Sequence, residues 1–285
     1  MALLDFAELL APPDAGVNAA LPIVAGVRRH LGPFDPEFAK SETGRKLFQE
    51  LLIINGYDVG KAGADGDHGK DTRKAAETFQ RAKGIPVTGV NDAKTHEALV
   101  GVIVRAARVP SSGQNIRAAI VAVALGYATA GAREISPNRG PWVRFFMSGN
   151  EGAAWAWCAG FASLVWIQAA AAFGATQVEQ ARRFRSFSCD VLGSRGASGG
   201  LLVDGAAVAA GRASIEPGDM FLVQSPSNPR DYMHTGIVIR RKGDGTIDTV
   251  EGNTNAAGGR EGLFVLRRNR RVTAHLDFVR CPFAA

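Results

Sequence analysis

The run from Cys158 to Phe173 constrains the fold more than any other stretch of the chain. It is built of Ala, Leu, Val, Trp, Ile and Phe with few polar interruptions. A helix that is apolar on nearly every side has to lie inside a larger body. The rest of the chain must therefore supply layers around it, and Gly174 offers a C-terminal stop. At the other end, Trp155-Ala156-Trp157-Cys158 puts a thiol on the first turn. Unpaired N–H groups and the helix dipole there favour the thiolate, the form that attacks carbonyls. Taken alone, Cys158 reads first as a small hydrophobe in a core helix, so its claim to chemistry depends on partners elsewhere.

At 285 residues, 46% hydrophobic and 21% charged, the chain has room for two domains and a sizeable core. Its three cysteines, Cys158, Cys189 and Cys281, are too few and too dispersed for a disulfide framework or clustered zinc ligation. Cys189 and Cys281 lack the setting of Cys158 and read as inert, and neither a metal nor a cofactor is expected. The longest apolar run, 159–173, is too short to span a bilayer and carries Ser163 and Gln168, so membrane insertion is not expected. Asp5, Glu8 and Asp14 precede any basic side chain, and Pro12, Pro13 and Pro22 break the early apolar stretches. This is not a Sec-type signal peptide, which points to synthesis in the cytoplasm. A net charge of +6 favours an anionic partner. The densest basic cluster, Arg267, Arg268, Arg270 and Arg271, reads as a solvated face. Without a recognisable nucleic-acid module, nucleic acid is not the expected partner.

Residues 1–40 read as two short apolar helical pieces, around Leu3–Leu10 and Leu21–Leu31, with no legible role. Residues 41–104 form a small three-helix unit. Its first helix carries Leu47, Leu51, Leu52 and Ile54 and ends near Asn55-Gly56. The second places Ala75, Ala76, Phe79 and Ala82 on one face and stops at Gly84. The third starts at Asn91 or Asp92. Asp71 or Thr72 can cap the second helix, while Asp65, Asp67 and Asp71 fall short of a calcium loop for want of further ligands and a terminal Glu. A linker at 105–114 contains Pro110-Ser111-Ser112-Gly113. In residues 115–285, helices come first, from Ile116 to about Ala130 and from Cys158. Strands follow at Met220–Val223, Thr235–Arg240, Ile247–Glu251, Leu263–Leu266 and Val272–Phe278, with Gly243-Asp244-Gly245 as a hairpin turn. Helices followed by an antiparallel sheet make an α+β layout.

The small unit resembles the helical peptidoglycan-binding domain of cell-wall hydrolases. The resemblance rests on Leu51 with Gly56-Tyr57, Asp65-Gly66, Gly69 before Thr72, Phe79-Gln80, Gly84, Thr88-Gly89 and Thr95 before Leu99. It implies peptidoglycan as a partner.

A nucleophilic thiol needs a base within reach and a third group to orient the base. His234 stands apart from the other four histidines because it sits at a loop-to-strand junction, where its side chain is expected at an exposed rim. The next strand can return Glu251 beside it, with Asn253 two residues on and facing the same side. Cys at a helix start, His at a strand start, then a carboxylate and an amide is the chain order of papain-like sites.

Residues 115–281 resemble the CHAP family, cysteine- and histidine-dependent amidohydrolases/peptidases related to NlpC-type cell-wall hydrolases. The matching motifs are Trp157-Cys158-Ala159 with Phe161, Pro217-Gly218-Asp219, His234-Thr235-Gly236-Ile237-Val238 and Glu251-Gly252-Asn253-Thr254. Glu134 with Asn138-Arg139-Gly140-Pro141 resembles the segment before the cysteine in one branch. Thr235 stands where many members have Val, and the family's calcium-site aspartates are not evident, so no metal is carried over. The resemblance implies a papain-like fold and endolysin-like cleavage of a peptidoglycan amide. In that reaction Cys158 attacks the carbonyl, His234 moves the proton, Glu251 holds the imidazole, and Asn253 orients the pair or assists the oxyanion. Glu134, Asn138 and Trp157 are candidate substrate contacts, and Trp142, Trp155 and Trp157 either line a groove or pack the core. The alternative is a non-catalytic wall-binding or phage structural protein that retains the fold. Either way, action at the wall would need release by lysis or a dedicated export route.

Overall fold

Side-chain caps and buried glutamines account for the order of the small unit. The protein's structure, a computed structural model, describes residue 31 and residues 34–108, 115–255 and 262–283. The helical piece expected at Leu3–Leu10, all of Leu21–Leu31 except Leu31, and the Pro110–Gly113 stretch lie outside the described residues. A short helix, α1 (Pro36–Lys40), leads into α2 (Glu42–Ile54), where the Ser41 side chain accepts from the Gly44 amide. Next come α3 (Lys70–Lys83) and α4 (Ala93–Ala106), which Asp92 caps through the Thr95 amide. Gly84 closes α3 in the left-handed conformation, φ 65°. The cap expected from Asp71 or Thr72 is not formed. Gly69 occupies that position, and Thr72 Oγ1 instead accepts from Gln49.

Two buried glutamines gather the loops of this unit. Gln49 Nε2 donates to Asp65 Oδ1 (2.8 Å), the Asp67 carbonyl (2.9 Å) and Thr72 Oγ1 (3.0 Å), while its Oε1 accepts from the Gly66 amide (2.7 Å). Gln80 does the same for the following turn, through Thr88, Val90, Thr95 and the Gly89 amide. A buried amide that uses both ends to satisfy backbone groups gives a loop one conformation.

Helix α4 runs to Ala106, into the stretch expected to be linker. Beyond it, α5 (Ile116–Thr129), α6 (Pro141–Phe146), α7 (Cys158–Ala170), α8 (Ala175–Arg182) and α9 (Cys189–Ser198) precede the sheet, and α10 (Gly205–Ala209) follows its first short strand. All thirteen residues of α7 are buried, as its sequence demands. It ends three residues short of Phe173, which is exposed, and Gly174 sits at the head of α8 instead.

The sheet is antiparallel throughout, with order β1-β6-β2-β3-β4-β5. The strands are β1 (Leu202–Val203), β2 (Met220–Ser225), β3 (Asn228–Arg241), β4 (Thr246–Thr254), β5 (Phe264–Arg271) and β6 (Leu276–Val279). Met220, Leu222, Ile237, Val250, Val265 and Val279 belong to the main core with the helices. The intervening residues Phe221, Val238, Ile247 and Phe278 build a second cluster with Val208 and Ile215. The strand expected at Val272–Phe278 is a turn followed by β6, and β5 runs straight through the arginine cluster. Asp219 of the Pro217-Gly218-Asp219 turn is buried, accepting from Arg117 and from the Glu216 and Cys281 amides. Trp166 Nε1 of α7 donates to the Gly218 carbonyl (2.8 Å).

The main core is continuous from the small unit into the helices around α7. Across that junction Arg144 of α6 pairs with the buried Glu50 of α2, and with Glu151 at 2.9 Å, while Arg133 Nη2 donates to the Ile53 carbonyl at 2.9 Å. Among the described residues no helix is long and apolar enough to cross a membrane.

Candidate active site

Aromatic packing fixes where α7 begins. Trp157 is fully buried, stacks on Phe146 (5.5 Å, 8° between planes) and donates Nε1 to Glu134 Oε2 at 2.8 Å. Phe146 also meets Phe161 edge-on at 5.3 Å. Trp157 and Phe161 flank Gly252 of β4 so closely that a Cβ there would lie 2.8 Å from both rings. Cys158 follows as the first helical residue, its thiol held between this helix start and the sheet.

His234 lies inside β3, opposite Val223, with six strand residues before it. It is 2% exposed, which corrects the expectation of a rim position at a strand start. A longer strand with its bulges on the Gln224 side buries the ring beside Phe221, 6.0 Å away. His234 Nε2 meets Glu251 Oε2 at 2.9 Å. Nδ1 has no hydrogen-bond partner, which makes it the nitrogen left for Cys158.

Glu251 is completely buried and saturated with donors. Besides His234 it accepts from Arg270 through Nε (2.6 Å) and Nη2 (2.6 Å) and from Thr249 Oγ1 (2.6 Å). The Arg270 guanidinium lies 5.1 Å over the Phe221 ring. A buried carboxylate is tolerated only with such pairing. Burial pushes Glu251 up, but the His234 bond and the Arg270 fork outweigh it and hold the carboxyl at about 2. For His234, burial disfavours the charged ring, yet Cys158 and Glu251 raise it to about 9. A hydrogen bond from Cys189, then His234 and the Thr235 amide, bring the Cys158 thiol well below its ordinary range despite burial. At neutral pH this arrangement favours a thiolate beside an imidazolium.

Asn253 is buried but adopts φ 55°, in a stretch where the β4–β5 register shifts between Glu251 and Thr254. The expected extended spacing from Glu251 is therefore broken, and Asn253 Nδ2 has no hydrogen-bond partner. Glu134 is buried, with its carboxyl pushed up by desolvation. Its Oε2 is shared between Trp157 and the Asn138 amide (3.0 Å), and Asn138 takes φ 52°. Trp142 is also fully buried, and Trp155 packs edge-on to Phe187.

Two residues that the sequence reading discounted lie at the site. Cys189, read as inert, brings Sγ to 3.7 Å from Cys158 Sγ; the signal for it was Ser188, whose hydroxyl caps α9 and puts Cys189 at a second helix start. Arg270 belongs to the cluster that reads as a solvated basic face. The signal there was period-two alternation, since Arg267, Asn269 and Arg271 are exposed while Arg268 and Arg270 turn inward. No three His, Cys, Asp or Glu side chains gather as metal ligands among the described residues.

Comparison with known proteins finds two relatives that match short stretches of this chain. The type VI secretion system spike protein VgrG3 of Vibrio cholerae serotype O1 is 60% identical over 37 residues, 13% of this chain and 4% of its own length. The N-acetylmuramoyl-L-alanine amidase CwlL of Bacillus licheniformis is 31% identical over 70 residues, 25% of this chain and 19% of its own. The chain thus spans less than a fifth of either relative. No solved structure matches. Residues 41–99 match the family described as "Putative peptidoglycan binding domain", and over that stretch the chain carries a peptidoglycan-binding domain.

Proposed function

We propose that this protein is a cysteine-dependent peptidoglycan hydrolase that cleaves an amide bond of the stem peptide, as an N-acetylmuramoyl-L-alanine amidase or an endopeptidase. In this reading residues 115–285 are a CHAP-like, papain-like catalytic domain, and residues 41–99 bring it to the wall. The observation that carries the proposal is His234, whose Nε2 is held by Glu251 while Nδ1 stays unpaired and Cys158 starts the neighbouring helix. Similarity to an amidase over a quarter of the chain and the peptidoglycan-binding match at residues 41–99 support the choice of substrate.

The Cys158 thiolate attacks the amide carbonyl, and negative charge builds on its oxygen. The unpaired N–H groups at the start of α7 offer that oxygen hydrogen bonds. His234 Nδ1 passes its proton to the leaving amine, then takes one from the water that releases the acyl group from sulfur. Glu251, held by Arg270 and Thr249, keeps the imidazole oriented and compensates its charge. Asn253 Nδ2, buried and unpaired, is a further donor for the acyl group. Glu134 and Asn138 act through Trp157, bracing the helix start, rather than by touching substrate.

Zymography on peptidoglycan gels tests the reading. The wild-type protein clears the gel and Cys158→Ala, folded by circular dichroism, does not. Equal clearing by both, or none by the wild type, overturns it. Mass spectrometry of the released fragments then identifies the bond.

A further inference from the structure

We propose that Cys158 and Cys189 form an oxidisable dithiol, a site at which a small peroxide closes a reversible disulfide across the nucleophile. The two sulfurs are 3.7 Å apart although the residues are 31 positions apart in sequence. Each cysteine is the first residue of its helix, α7 or α9. The hydrogen bond between them and burial push the Cys189 thiol up while Cys158 is held low, so Cys158 is the attacking thiolate and Cys189 keeps its proton. Both are free thiols. A disulfide needs the sulfurs at about 2.05 Å, so the pair has to close by about 1.7 Å. Cys158 is 3% exposed and Cys189 7%, and a small peroxide is the two-electron co-reactant that needs least room to reach them. Cys281 belongs to a different setting, its amide donating to Asp219 at the start of β2.

The chemistry balances in two steps. Cys158 thiolate attacks one peroxide oxygen, the S–O bond forms as the O–O bond breaks, and hydroxide leaves and takes up the Cys189 proton as water. The Cys189 thiolate then attacks the Cys158 sulfur; the S–S bond forms, the S–O bond breaks, and the departing hydroxide is protonated to a second water. Two thiols lose two electrons and one peroxide gains them. Cys189 thereby intercepts the sulfenic acid before it reaches the irreversible sulfinic stage. A thiol reductant returns both groups. That the closed form is inactive rests on the hydrolase reading above, whereas the disulfide itself does not.

The test uses the full, reduced chain treated with one equivalent of hydrogen peroxide, quenched with N-ethylmaleimide and digested with trypsin. The three cysteines fall in separate peptides, residues 145–182, 186–195 and 281–285. The expected product links 145–182 to 186–195, disappears with dithiothreitol, and leaves 281–285 carrying maleimide. Under the same dose Cys189→Ser stops at the Cys158 sulfenic acid, trapped with dimedone, and a second equivalent carries it to sulfinic acid. Wild-type protein that forms sulfinic acid without the linked peptide, or that links through 281–285, overturns the proposal. The wild-type linkage decides the matter even where Cys189→Ser fails to fold. On zymograms, oxidation abolishes clearing and dithiothreitol restores it; clearing that persists in fully linked protein overturns the masking. Linkage in a protein whose reduced form never clears supports the dithiol and sinks the hydrolase reading instead.

Discussion

At the scale of single residues, the site is organised by the burial of Glu251. A carboxylate with no exposed surface must be fully compensated, and His234, Arg270 and Thr249 do this with four hydrogen bonds. Replacing Arg270 with Met leaves that charge short of its strongest partner, and a loss of about 3–5 kcal/mol at neutral pH is expected. The sign with pH follows from the shifts. Glu251 sits near 2 in the folded protein, so its contribution is present above its unfolded value and is lost as pH falls through about 2. His234, raised to about 9, contributes below its unfolded value and loses that contribution as pH climbs through about 9. Guanidinium titrations of wild type and Arg270→Met at neutral and acid pH should differ most at neutrality, and the kcat/KM profile of the wild type should fall on a basic limb near pH 9. A limb near the ordinary histidine value would show that Cys158 and Glu251 do not hold the proton on His234.

At the scale of elements, the sequence made plain those features that local chemistry dictates. The all-round apolar character of α7, Gly84 at the end of α3, a cap at Asn91 or Asp92, which the structure gives to Asp92, and the β3–β4 hairpin all follow from neighbouring residues. Non-local features were hidden. Nothing near His234 in sequence announces that β3 starts at Asn228 and buries the ring, because that depends on β2 pairing across a bulge. The inward turn of Arg270 is masked by the charges on either side, and the approach of Cys189 depends on how α9 packs. The clearest element-level dependence is at Gly252, where β4 presses on Trp157 and Phe161. Gly252→Ala puts a methyl group 2.8 Å from both rings, and separation of β4 from α7 with a loss of about 1–3 kcal/mol is expected. Thermal unfolding reads the loss. An unchanged midpoint would mean that the two elements are not tightly seated.

At the scale of the molecule, the boundary between the small unit and the rest is a packed one. Glu50 and Arg144 meet across it, Glu151 takes the second guanidinium nitrogen, and the apolar core runs through. Arg144→Ala removes the cation between two carboxylates, one of them buried, and is expected to loosen this seam without unfolding the sheet. Limited proteolysis would read that as faster cleavage near residues 105–114, and an unchanged digestion pattern would contradict it.

On the proposed function, that seam has a mechanical meaning. A binding module on a slack tether lets its partner search a sphere of wall around one anchorage. A module fused through a continuous core acts instead like one jaw of a calliper, with the gap between grip and cut set by the fold. On the proposed function, each grip then reaches only bonds at that gauge, and the protein must let go of the wall before it can cut again.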